Sequence, residues 1–129
     1  MARGRGPAST KVRIAFLQGS YFLATGVWPL VSRRSFERVT GPKVDFWLAR
    51  TVGVLVGSIG AVLLVGARRR RVDVELELLG ATSAAGLAGI DAIFSARGTI
   101  SKIYLLDAAI EGALVVAWIR LRAGSWARD

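Results

Sequence analysis

Four long apolar runs occupy most of this 129-residue chain, and short charged segments separate them. The runs cover residues 14–32, 46–67, 76–96 and 100–119. Each is about 20 residues long, which at ~1.5 Å per residue matches a hydrocarbon core about 30 Å thick. The pattern therefore predicts an all-α fold, an integral membrane four-helix bundle with short loops.

The composition supports the same fold class. Hydrophobic residues make up 53% of the chain, and the mean hydropathy is +0.46. A soluble bundle is the alternative, but its helices would normally carry a wide polar face, and strands are excluded because the runs do not alternate with period two. One bundle at residues 14–119 leaves a basic segment at 1–13, expected to be disordered or surface-lying, and a short basic tail at 120–129.

The net charge of +9 indicates contact with lipid headgroups rather than with nucleic acid, because the basic residues flank the apolar runs. Four spans would place both termini and the middle connection on one side. That side holds 11 of the 18 Lys and Arg residues. The positive-inside rule then predicts a multi-pass protein of the inner or plasma membrane with both termini cytoplasmic. An organellar membrane stays open.

The chain has neither cysteine nor histidine. Disulfides, thiolate metal sites, the commonest haem ligand and nucleophile–histidine triads are therefore excluded. We predict no cofactor and no metal site.

Polar side chains recur at helical spacing inside the apolar runs and predict an intramembrane pocket. Asp107 and Glu111 are one turn apart, and each would cost about 2.5–3.5 kcal/mol in hydrocarbon, so both should face the bundle interior. We expect Arg50 to pair with Asp91 or Asp107 and to keep that carboxylate charged. The predicted pocket residues are Gln18, Tyr21, Thr25, Trp28, Arg50, Asp91, Tyr104, Asp107 and Glu111.

Small residues at a spacing of four predict where helices approach closely. Gly53, Gly57 and Ala61 form one such face, and the third run carries two more. Small-xxx-small faces pack helices together in membranes. They indicate packing within the bundle, or else an interface of a homo-oligomer.

Several short segments carry a recognisable pattern. They are TGVWPL at 25–30, SFE at 35–37, VTGPK at 39–43, DFWL at 45–48, RGTI at 97–100, and YLLD at 104–107 followed by Glu111. Together they resemble those of a group of small, uncharacterised bacterial membrane proteins with four transmembrane helices. The similarity covers about residues 14–119, and it implies that architecture and a bacterial origin but no activity.

Two functions fit these features best. The first is a binding, accessory or structural membrane subunit, whose polar pocket holds a small ligand or lipid headgroup or which packs against other membrane subunits. The alternative is a small proton- or cation-linked transporter that works as a homo-oligomer through Asp107 and Glu111. An enzyme that uses Asp91, Asp107 and Glu111 ranks last, because no catalytic motif accompanies them.

Overall fold

The computed structural model describes residues 7–126, and all regular structure in that range is helical. This confirms the predicted all-α fold. The helices are α1 (Pro7–Val31), α2 (Arg33–Thr40), α3 (Phe46–Arg68), α4 (Val74–Ala96) and α5 (Tyr104–Trp126). Residues 1–6 of the predicted N-terminal segment and 127–129 of the predicted tail lie outside the described range.

The ends of the long helices differ from the apolar runs. Helix α1 begins at Pro7 rather than at residue 14, with a proline in the first helical position, where no backbone N–H is needed. Helix α5 begins at Tyr104 rather than at residue 100 and continues to Trp126. Helical structure therefore extends into both segments that we expected to flank the bundle.

Helix α1 is central to the fold. It packs along α3 on one side and contacts α5 on the other, while α4 and α5 pack along each other. Helices α1 and α3 run antiparallel, since Gly26 of α1 lies against Gly53 of α3 and Gly19 lies against Gly60. The short helix α2 crosses the end where α1 and α3 are joined.

Glycines allow α1 and α3 to touch through their backbones. A Cβ atom built on Gly26 would lie 2.6 Å from the Gly57 nitrogen, and one built on Gly60 would lie 2.6 Å from the Leu23 nitrogen. The predicted small-residue face of α3 is therefore real at Gly53 and Gly57 but continues through Gly60 rather than Ala61, which is exposed. This glycine contact joins two helices of one chain, so it is packing within the bundle.

Three helices of the described chain are long and apolar enough to cross a membrane, by length and composition: Ser9–Val31 within α1, Phe46–Arg68 and Val74–Ala96. This corrects the prediction of four apolar spans. Helix α5 has the same length as α3, with 23 residues, but Asp107, Glu111 and Arg120 interrupt its apolar sequence.

Several polar side chains are buried, while many large apolar side chains are exposed. Gln18 is 0% exposed and Glu111 is 1% exposed, whereas Leu55 and Leu106 are each 60% exposed. Burying an acid while presenting leucine outward is unfavourable in water but favourable in lipid. Many more valine, leucine and isoleucine side chains of α3, α4 and α5 face outward in the same way.

Candidate functional site

A column of buried and partly buried polar side chains runs between α1, α4 and α5, in three layers. The first, the ionic layer, consists of Lys11, Glu77 and Arg122. The Lys11 Nζ lies 2.6 Å from Glu77 Oε1, and Arg122 Nη1 lies 3.2 Å from Glu77 Oε2. Glu77 is 7% exposed. Its two cationic neighbours offset the cost of burying its charge.

The second layer, the amide layer, consists of Gln18, Gly80, Ser83 and Trp118. The Gln18 amide nitrogen donates to the Gly80 carbonyl at 2.9 Å and lies 3.4 Å from Ser83 Oγ. Its amide oxygen accepts from the Trp118 indole nitrogen at 2.7 Å. The Gln18 side chain therefore joins three helices through neutral hydrogen bonds.

The third layer, the acid layer, consists of Tyr21, Asp91, Asp107 and Glu111. The Tyr21 hydroxyl donates to Asp107 Oδ1. The carboxyl groups of Asp91 and Asp107 lie within hydrogen-bonding reach of each other, so α4 and α5 each contribute an acid to one contact. Glu111 follows Asp107 by one helical turn, and the charges of both aspartates act on it.

The acid layer contains more acceptors than donors. Glu111 Oε2 and Asp91 Oδ2 are buried and have no hydrogen-bond partner within the described residues. Asp91 is 5% exposed. The ion pairs found in residues 7–126 join Lys11, Arg33 and Arg122 to glutamates elsewhere, so none brings a cation to this layer. Two buried acids and the partly buried Asp107 thus have one hydroxyl donor, that of Tyr21, among the described residues.

Arg50 does not form the ion pair that we predicted, and this is a correction. Its side chain is exposed, and its guanidinium lies 5.1 Å from the centre of the Phe46 ring. Arg50 lies in the first part of α3, which packs on the side of α1 opposite to α4 and α5. This position explains why the predicted ion pair is not formed. Helix α1 stands between Arg50 and the two aspartates.

The structure brings Tyr21, Asp91, Asp107 and Glu111 together and places the other predicted pocket residues elsewhere. Gln18 is in the amide layer. Thr25 donates its hydroxyl to the Tyr21 carbonyl at 2.8 Å, within α1. The last two residues, Trp28 and Tyr104, lie toward α2 and the loop after it.

The segment that follows α1 forms a small polar and aromatic cap on the acid-layer end of the bundle. Trp28 Nε1 donates to Ser35 Oγ at 2.8 Å, and the Trp28 and Phe36 rings meet edge to face at 5.3 Å. The Lys43 amide donates to Glu37 Oε2 at 2.7 Å, and Arg33 Nε donates to Oε1 at 2.7 Å. The Lys43 amide, followed by Arg33, holds the pKa of Glu37 below its usual value.

Sequence reasoning missed the ionic layer and most of the amide layer. Lys11 was assigned to a segment outside the bundle, and Glu77 and Arg122 stood at run ends, where charges normally contact headgroups. A usable signal existed in the spacing of Lys11, Gln18 and Tyr21, which recur at seven and three residues and so share a helix face.

The acid layer is not arranged as a metal centre. Within residues 7–126, no group of three or more Asp, Glu, His or Cys side chains has the geometry to hold a metal ion. The positions of Tyr21, Asp91, Asp107 and Glu111 suit hydrogen bonding and proton sharing better than metal coordination.

Comparison of the chain with protein-family models, with curated proteins and with solved structures finds no match. The resemblance to four-helix bacterial membrane proteins therefore stays a prediction.

Proposed function

We propose that this chain is a multi-pass membrane protein whose acid layer binds protons inside the bundle. One observation carries the proposal: the buried acids Asp91 and Glu111 lie beside the partly buried Asp107, which accepts a hydrogen bond from Tyr21, and no ion pair within residues 7–126 brings a cation to them. Ionising all three acids there would place like charges together in a medium of low dielectric constant, whereas a bound proton can join two carboxyl groups.

Membrane residence is supported by the outward apolar surface and by three helices of sufficient length and apolarity. In this proposal α5 crosses beside them as a fourth helix, because its two acids face α1 and α4 rather than lipid. Both termini then lie on the side richer in Lys and Arg, which the positive-inside rule assigns to the cytoplasm of an inner or plasma membrane.

The proposed role is that of a proton-responsive binding or accessory subunit. Protonation would change the charge between α4 and α5 and therefore the strength of the contact between these helices. A neighbouring membrane protein that packs against α4 or α5 can respond to that change. Near Gly26 and Gly53 the closest approach between α1 and α3 is made by backbone atoms and the Pro29 side chain. It would stay constant while the acid layer changes.

Infrared difference spectroscopy on the full chain in phosphatidylcholine vesicles tests proton binding. Raising the external and internal pH together should remove a protonated-carboxyl band in the wild-type protein. The band should be weaker in the Asp107→Asn/Glu111→Gln double variant, which keeps only Asp91 of the three acids. Glu75→Gln is the matched control, because Glu75 is an exposed acid on α4, and it should leave the band intact. A wild-type spectrum without a pH-dependent carboxyl band would contradict the proposal.

Transport is the second candidate, and the polar column favours it. From Lys11 to Tyr21 the column follows about 15 Å of the α1 axis, so polar groups continue from the acid layer toward one end of the bundle. Vesicles with an internal pH-sensitive dye and an imposed pH gradient distinguish the candidates. A flux that the Asp107→Asn/Glu111→Gln variant abolishes supports a transporter, and crosslinking in the same vesicles tests whether it acts as a homo-oligomer. Proton binding without flux supports the subunit.

A further inference from the structure

A groove at the opposite end of the bundle from the acid layer combines arginines with an apolar floor. It lies between the first part of α1 and the last part of α3 and has a volume of about 550 Å³. Cavities of roughly 300–1,000 Å³ hold small organic molecules. Its lining consists of Ser9, Val12, Arg13, Phe16, Leu64, Ala67, Arg68 and Arg70.

The lining has two chemically distinct parts. Arg13, Arg68 and Arg70 provide three positive charges, and no acidic residue belongs to the lining. The ion pairs of the described chain use other cations, so these guanidinium groups keep their charge available for an external anion. The apolar part continues toward the middle of the bundle through Phe16, which is 56% exposed, and through Leu64.

Arg70 has an unfavourable backbone conformation. Its φ of 56° lies in the left-handed region, where glycine is the usual residue at the end of a helix. The Arg71 amide donates to the Gly66 carbonyl at 2.9 Å, which closes the end of α3 and fixes this conformation. An arginine at a position that suits glycine costs backbone strain, and such strain is common at binding sites.

We infer that this groove binds the phosphate headgroup of an anionic phospholipid, with its acyl chains along Phe16 and Leu64. Guanidinium groups bind phosphate oxygens through paired, charge-assisted hydrogen bonds. A groove that is basic at the helix ends and apolar toward the bundle centre matches a phospholipid in both charge and direction. The inference shares with the proposed function only the residence of the chain in a membrane, and it involves none of the acid-layer residues.

Native mass spectrometry of the full chain in detergent tests the inference with three probes. Dioctanoyl phosphatidylglycerol should bind more tightly than dioctanoyl phosphatidylcholine, which has the same chains but no net charge. Neutralising the groove with Arg13→Gln, Arg68→Gln and Arg70→Gln should weaken phosphatidylglycerol binding by about tenfold or more, since each basic side chain near an anionic headgroup contributes roughly fivefold. Inorganic phosphate should compete poorly, because it lacks acyl chains.

The charge-matched control is Arg34→Gln, Arg38→Gln and Lys102→Gln, which removes three exposed cations from the other end of the bundle. It should leave phosphatidylglycerol affinity within about twofold, since screened charges beyond a Debye length act weakly. An equal loss in both triple variants would overturn a specific site in favour of general attraction. Equal binding of the two lipids, or full competition by inorganic phosphate, would also overturn the inference.

A single substitution separates binding from folding. Arg70→Gly removes the charge and also relieves the left-handed strain, so the lipid-free variant should unfold at a higher temperature than the parent while its stabilisation by phosphatidylglycerol decreases. A variant that responds to phosphatidylglycerol as strongly as the parent would exclude a role for Arg70. The Asp107→Asn/Glu111→Gln variant should bind the lipid as the parent does. The lipid inference and the proton-binding proposal can therefore fail separately.

Discussion

The Trp118 indole nitrogen on α5 donates to the Gln18 amide oxygen on α1 at 2.7 Å, and both side chains are buried. The other end of the same amide donates to the Gly80 carbonyl of α4. One neutral side chain thereby links the α1–α3 pair to the α4–α5 pair. The contact also places Tyr21, one turn further along α1, opposite the acids of α4 and α5.

Replacing Gln18 with Leu should destabilise the bundle by about 2 kcal/mol, because it leaves the buried indole N–H of Trp118 without a partner. Trp118→Phe removes the donor and leaves the Gln18 oxygen unpartnered, so it should also destabilise. Reversible unfolding in mixed detergent measures both. The double variant should cost less than the sum of the single changes, since no unpaired group remains. Strict additivity would contradict a direct coupling between the two side chains.

The glycines of the α1–α3 interface give a second prediction. Gly60→Ala should destabilise the protein by about 1–3 kcal/mol, because the new Cβ would lie 2.6 Å from the Leu23 nitrogen and 2.7 Å from the Gly19 carbonyl oxygen. The same unfolding assay measures the change.

Gly57→Ala and Gly86→Ala are the matched controls within helices. A Cβ built on either meets no atom within 4 Å. Alanine favours the helical conformation over glycine by about 0.5–1 kcal/mol, so both controls should be neutral or stabilising. If Gly60→Ala were tolerated as well as these controls, α1 and α3 could not be as close as the structure places them.

Part of this fold follows directly from the sequence. Length and apolarity identify α3 and α4 almost to the residue, because charges mark both of their ends. The start of α1 was placed too late because Lys11 and Arg13 resemble a segment outside the bundle. In the structure Lys11 pairs with Glu77 and so extends into the bundle. An ion pair between residues far apart in sequence leaves no trace in a local hydropathy pattern.

The same limit applies to the site. The cost of an acid in hydrocarbon was enough to place Asp107 and Glu111 in the interior, and the i,i+4 spacing put them on one face. The partner of each acid was not predictable, because periodicity defines a face without showing which helix that face meets. Arg50 illustrates this: it shares a depth with Asp91 and Asp107, but α3 packs on the far side of α1.

Asp91→Asn is the third prediction and tests the acid layer through stability. The variant should be more stable than the parent at alkaline pH, by about 1 kcal/mol or more, because it removes one of three neighbouring acids that lack a cation. At acidic pH the two proteins should differ little, since protonated acids do not repel one another. Glu75→Gln, at an exposed position on α4, should show no such pH-dependent gain. A parent that gains stability relative to Asp91→Asn as the pH rises would contradict the arrangement.

The last prediction concerns the cap formed by α2 and the loop that follows it. Glu37 accepts hydrogen bonds from the Lys43 amide and from Arg33, and both favour the ionised carboxylate, so the pKa of Glu37 lies below its usual 4.5. A group whose pKa falls on folding stabilises the structure above its unfolded pKa and loses that contribution as the pH decreases through the folded value. The cap should therefore be intact at neutral pH and should loosen only below about pH 4.5. Exchange of the Lys43 amide hydrogen should accelerate in that acidic range relative to helix amides of α3. Glu37→Gln should exchange rapidly at every pH and should lack the acidic transition. If the variant kept that transition, another acid would have to control the cap.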